Sequence, residues 1–206
     1  MLDVLIKGGP LMIPLLVLSI IAVAVTLERL WYLFRTRIDT EELMDDVKLA
    51  LQDGKVLEAM QMVKKAKGPV AAILAAAIAY GDRDKEAVRE RLEEVGEDEV
   101  FKMRRGLGMI ATIVSIAPLI GLLGTVTGII RSFQVLGAFQ GVASNPAALS
   151  VGIAEALITT AAGLIIAIPA MAIHHWLSSM VERRVREMNR RALEITDLIA
   201  IRGDGS

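Results

Sequence analysis

Ala117-Pro118-Leu119-Ile120-Gly121-Leu122-Leu123-Gly124-Thr125-Val126-Thr127-Gly128 lies inside a run of 25 residues, Gly106 to Ile130, that holds no Asp, Glu, Lys or Arg. A membrane-crossing helix needs roughly 20 apolar residues at about 1.5 Å each. This stretch meets that length, and its hydroxyls and glycines fall in a pattern. On a helix, Gly121, Thr125, Gly128 and Ser132 share one face. Small residues let helix backbones approach closely in lipid, so Gly121, Gly124 and Gly128 are expected at a helix contact. The glycines follow no strand, so they do not form a nucleotide-binding fingerprint.

Two further stretches lack charge. Gly8 to Leu27 runs for 20 residues and Ala156 to Val181 for 26, the latter extending back past Glu155 to Leu149. Gly152, Ala156, Gly163 and Ala167 form a second small-residue seam there. Pro118 and Pro169 fall within spans and are expected to bend them. The first stretch carries Ala22-Val23-Ala24, which mimics a cleavage site. Its apolar run continues to Leu27 and is followed by Arg29, Arg35 and Arg37, so it reads as an uncleaved anchor.

Composition agrees. Of 206 residues, 54% are hydrophobic and 23% charged, with net charge −1, and mean hydropathy is +0.53. Apolar and charged residues must therefore be segregated along the chain, which excludes a plain soluble domain and a disordered one. Balanced charge gives no reason to expect nucleic acid. The absence of Cys excludes disulfides, thiol catalysis and Cys-based metal sites. His174 and His175 are adjacent, so they diverge on a helix and make a poor metal pair. No metal, cofactor or enzymatic reaction is expected.

Thirteen Lys and Arg residues flank the ends following span one, preceding span two and following span three, against Lys7 and Arg131 at the opposite ends. The positive-inside rule then places the N-terminus outside and the C-terminus in the cytoplasm. The expected fold is an all-α integral membrane protein, N-out/C-in, with three transmembrane helices and long cytoplasmic helical extensions. Residues 1–30 hold the outer N-terminus and span one, 31–105 a cytoplasmic helical domain, 106–131 span two, 132–148 an outer loop, 149–175 span three and 176–206 a cytoplasmic C-terminal helix. The insertion 28–106 holds 32 of the 47 charged residues. Within it, Thr40 is the expected cap of a helix running to Asp53 and stopped by Gly54. The apolar run Val70 to Tyr80 is too short to span and reads as a buried helix. A further helix is expected to run unbroken from about residue 83 to 131, with nothing stronger than Gly96 to stop it.

Glu155 is the only acid within the apolar segments. A buried acid in lipid costs roughly 2.5–3.5 kcal/mol, so it faces a polar interior or, at this depth, the outer headgroups. One carboxylate near one face cannot relay protons across a core of about 30 Å, so a proton path needs a second titratable group from another chain. Thr125, Thr127, Thr159 and Thr160 either line such a path or bond back to their own helices.

These residues resemble the MotA/TolQ/ExbB proton-channel family, and ExbB-type members most closely. The resemblance rests on Ala117–Val126, on Gly152-Ile153-Ala154-Glu155-Ala156-Leu157 and on Ala167-Ile168-Pro169-Ala170, and it covers essentially the whole chain. The MotA branch fits less well because it has four spans. The resemblance implies a bacterial inner-membrane homo-oligomer, a pentamer, around a pore. The pore would enclose helices of an ExbD-like one-span partner with a membrane Asp, coupled to a TonB-like protein. It carries pore roles onto Thr125, Glu155 and Thr160, with Glu155 drawing cations to the mouth. Thr159 departs from the usual small apolar residue; it lies about 40° from Glu155 on the helix and Thr160 about 140°, so which hydroxyl matters more stays open. A TolQ-like motor, a non-conducting scaffold and sodium as the ion are the alternatives.

Overall fold

The computed structural model describes residues 8–36, 38–138 and 146–203. Seven helices fill them, and no strand occurs among the described residues: α1 Met12–Arg35, α2 Thr40–Gln52, α3 Val56–Lys65, α4 Pro69–Ala79, α5 Lys85–Arg104, α6 Leu107–Ala138 and α7 Pro146–Gly203. Three of them, α1, α6 and α7, are long and apolar enough to cross a membrane, with mean hydropathy of 2.1 to 2.2 over their most apolar windows. Their outer faces present large apolar side chains, among them Ile13, Ile20, Leu119, Leu122, Ile165 and Ile168. Water would penalise such faces, whereas hydrocarbon does not.

The chain divides into two compact units. The described parts of Met1–Glu28 and Gly106–Trp176 form one, and those of Arg29–Arg105 and Leu177–Ser206 the other. In the second, α2 to α5 and the C-terminal part of α7 bury one apolar core. Met44, Val47, Val63, Ile73, Leu74, Val88, Met188 and Ile195 are its centre, each at most 2% exposed. Burial of such side chains contributes about 1.5–3 kcal/mol each. Val70, Ile73, Leu74 and Ala77 put the short apolar helix α4 inside this core, as its sequence predicts. Its start is fixed by Pro69 at the first turn and by Gly68 at φ +116, where a Cβ would stand 2.8 Å from the Thr36 carbonyl oxygen.

Three local expectations are corrected. The cap of α2 is Asp39, whose carboxylate accepts from the backbone N–H groups of Glu41 and Glu42 at 3.1 and 3.2 Å. Thr40 is already helical and donates its hydroxyl to Glu187. The helix expected from about residue 83 to 131 is two helices. Gly106 sits at φ +80 and Arg105 leaves the helical region, so α5 ends at Arg104 and α6 starts at Leu107. A glycine in the left-handed region is a common helix terminator, whereas Gly96 stays helical and lets Met188 approach to 3.6 Å of where its Cβ would be. At the other end α6 continues to Ala138 and α7 begins at Pro146, so the outer connection expected over 132–148 is helical at both ends; residues 139–145 lie outside the described residues. Neither Pro118 nor Pro169 ends its helix.

Arg191 is buried at 4% exposure and donates to Glu194 at 2.9 Å; Arg190 and Lys48 approach the same carboxylate at 3.3 and 3.8 Å. The Arg191 hydrogen bond, helped by the three positive charges, holds the Glu194 carboxyl below its ordinary value of 4.5 against the opposing effect of burial. A depressed folded pKa means stability that is complete above the ordinary value and lost as pH falls through the lower folded one. Glu194→Gln is expected to destabilise this unit by about 1–3 kcal/mol at neutral pH, because Arg191 stays buried without its counter-charge. Unfolding of the detergent-solubilised protein should show that gap at neutral pH and a shrinking one as pH falls below the ordinary carboxylate value and through the lower folded one.

Candidate functional site

The first unit is built on glycine and alanine. Along α6 and α7, Gly163 rests against the Ala117 carbonyl, Gly121 against Thr160, Gly124 against Thr159, and Gly128 against Gly152 and Ala156. Numbers rise on α6 as they fall on α7, so the helices run antiparallel. The approach is close: a Cβ on Gly128 would stand 2.7 Å from the Gly152 carbonyl oxygen, and one on Gly121 would stand 3.0 Å from the Thr160 Cα. Met12 and Leu15 of α1 pack onto the same pair at Ala117 and Ala167.

The hydroxyls on these faces divide into two kinds. Thr125 donates to the Leu122 carbonyl at 2.6 Å and Thr127 to the Leu123 carbonyl at 3.0 Å, both within α6. Thr159 is 1% exposed, wedged over Gly124, and donates to the carbonyls of Ala156 and Glu155 at 2.9 and 3.1 Å. Thr160 alone among these four crosses between helices, donating to the Gly121 carbonyl at 2.8 Å while half-buried. Within one chain Thr159 is therefore closed off by packing. Thr160 and Thr125 keep partial exposure.

Glu155 has a partner that sequence reasoning missed. Arg131 of α6 donates through Nη1 to Glu155 Oε1 at 2.9 Å. The signal was present: between Gly106 and Val181 the chain has one basic and one acidic residue, and these are the two. Gly9 also reaches this carboxylate, since a Cβ on it would overlap Glu155 Oε1. His174 and His175 meet edge-on with ring centres 5.7 Å apart. No group of three potential metal ligands occurs among the described residues.

Closely packed apolar helices with hydroxyls and an ion pair on their facing surfaces define a helical membrane protein. Residues 65–190 match the model of the MotA/TolQ/ExbB proton channel family. The chain is 37% identical over 188 residues to an ExbB-like biopolymer transport protein of Synechocystis sp., covering 90% of this chain and 73% of that one. It is 33% identical over 180 residues to an ExbB homologue of Methanothermobacter thermautotrophicus, covering 87% and 63%. It is 43% identical over 102 residues to the biopolymer transport protein ExbB of Salmonella typhimurium, covering 48% and 41%. The chain belongs to the MotA/TolQ/ExbB proton channel family, and relatives bearing the ExbB name support the ExbB-type resemblance.

The packing makes a direct prediction. Gly128→Val places side-chain atoms where the Gly152 backbone and Ala156 already stand, and should lower the melting temperature in detergent by several degrees, equivalent to about 1–3 kcal/mol. Gly108→Ala, where a Cβ meets nothing within 4 Å, should leave it unchanged or raise it slightly.

Proposed function

We propose that the protein is the proton-conducting subunit of an ExbB–ExbD-type motor in a bacterial inner membrane, using the proton motive force to energise a TonB-like protein. The observation that carries this is the placement of Thr125 and Thr160 on the small-residue faces of two apolar, membrane-length stretches. Membership of a proton channel family supports it. Several copies, five by the family resemblance, surround a one-span partner whose membrane Asp carries the proton. Protonation neutralises that Asp and lowers the cost of moving it past apolar wall. Thr160 can exchange its bond to the Gly121 carbonyl for one to the partner's carboxyl, and Thr125 can do the same from its own helix. Each proton falling through 100 mV releases about 2.3 kcal/mol, which is available as mechanical work. The ExbB names of the relatives favour this role over the TolQ-like alternative.

Proteoliposomes containing the chain with its one-span partner should take up protons, in sodium-free buffer as well, at a rate that Thr160→Val lowers about 10-fold or more, the equivalent of one hydrogen bond to a charged group. Equal, background-level uptake by both proteins would leave a non-conducting scaffold as the reading.

The charge distribution supports an outer N-terminus and an inner C-terminus. The chain has no Cys, so single substitutions report side directly. A membrane-impermeant maleimide applied to spheroplasts should label Gln134→Cys and spare Lys64→Cys. The reverse pattern overturns the orientation.

A further inference from the structure

Arg131 and Glu155 stand apart from the other charged residues of the chain. They are the only two charged side chains in the 76 residues from Gly106 to Val181, of opposite sign, on different helices, and they meet at 2.9 Å. The antiparallel register of α6 on α7, fixed several residues away by Gly128 on Gly152, delivers them to the same end of the helix pair. The Glu155 side chain is 21% exposed and the Arg131 side chain 53%. A third element closes over the carboxylate. Gly9, in the turn that opens α1, has φ +71, and any Cβ there would overlap Glu155 Oε1. The backbone conformation favours glycine there, and a side chain would displace the carboxylate from its place. Gly8 beside it lies against the Met12 side chain, 2.5 Å from where its Cβ would stand. The carboxylate thus lies between the Arg131 guanidinium and the Gly9 backbone.

We propose that Arg131 is a positioning residue that pins and neutralises Glu155, so that the mouth of the pathway is ringed by closed ion pairs with no net charge. This rests on the channel reading above. It changes the part expected for Glu155. A free acid at a pore mouth concentrates every cation, K+ and Na+ as well as H+. A paired one does not, and the polar hydroxyls further along are left to select the proton. Arg131 then contributes to ion specificity by cancelling an attraction, and Glu155 acts as half of a fixed dipole with no proton to deliver.

The test is a charge cycle in proteoliposomes holding the chain with its one-span partner, reading H+ and K+ flux in parallel. Glu155→Gln leaves an unpaired cation and should cut H+ flux about 5-fold or more. Arg131→Gln leaves unpaired carboxylates and should raise the K+ to H+ ratio about 10-fold. The double variant Arg131→Gln/Glu155→Gln removes both charges and should return both readouts to within about 2-fold of wild type. Arg131→Lys keeps the charge and should keep the selectivity. A double variant as inactive as Glu155→Gln overturns the proposal, because the carboxylate itself is then required. Wild-type selectivity in Arg131→Gln overturns it as well. If the wild type conducts nothing, the channel reading fails first, and melting temperatures of the wild type, the two single Gln variants and the double variant decide the pairing: coupled losses uphold it and additive losses overturn it.

Discussion

The contact on which the first unit depends is backbone against backbone. Hydrocarbon offers no hydrophobic drive to bring helices together, so association rests on dispersion and on the hydrogen bonds that close approach permits. Gly121, Gly124, Gly128, Gly152 and Gly163 remove the side chains that would hold α6 and α7 apart. Everything polar in the unit follows from that. Thr160 reaches the Gly121 carbonyl because no Cβ intervenes, Thr159 is swallowed by the hollow at Gly124, and Arg131 meets Glu155 because the register allows no other pairing.

The second unit obeys different physics. Its helices are amphipathic and charged, and they are assembled around a core of Met, Val, Ile and Leu in the manner of a soluble bundle. α7 contributes to both units without a break. It presents glycine and alanine toward α6 in one, and Met188, Arg191 and Ile195 toward the core of the other. One helix therefore carries two packing codes in succession, written for two solvents.

Much of this was legible in the residues. Charge-free runs disclosed the three long apolar helices because lipid tolerates almost no formal charge, and the 11 residues of Val70 to Tyr80 were too few for that purpose and too apolar for a surface. What escaped depended on choices between neighbours. Asp39 and Thr40 are both good caps, and the backbone decides between them, Asp39 staying extended where Thr40 is already helical. Gly96 and Gly106 look alike in a helical pattern; one lies against Met188 and Ile73 within the helix, the other turns left-handed and ends it. A helical wheel of α7 alone could not separate Thr159 from Thr160, because the difference lies in what α6 presents to each. Arg131 and Glu155 are 24 residues apart, and their meeting is a property of the register between two helices.

That pair also bears on biogenesis. A lone arginine or glutamate costs roughly 2.5–3.5 kcal/mol at the centre of a translocon-inserted helix, and less nearer the edge. Chains emerge N-terminus first, so α6 leaves the ribosome with Arg131 still waiting for a counterion that lies on the next helix. Insertion is least costly when the two helices partition together as a hairpin, entering the bilayer as one electrically neutral unit.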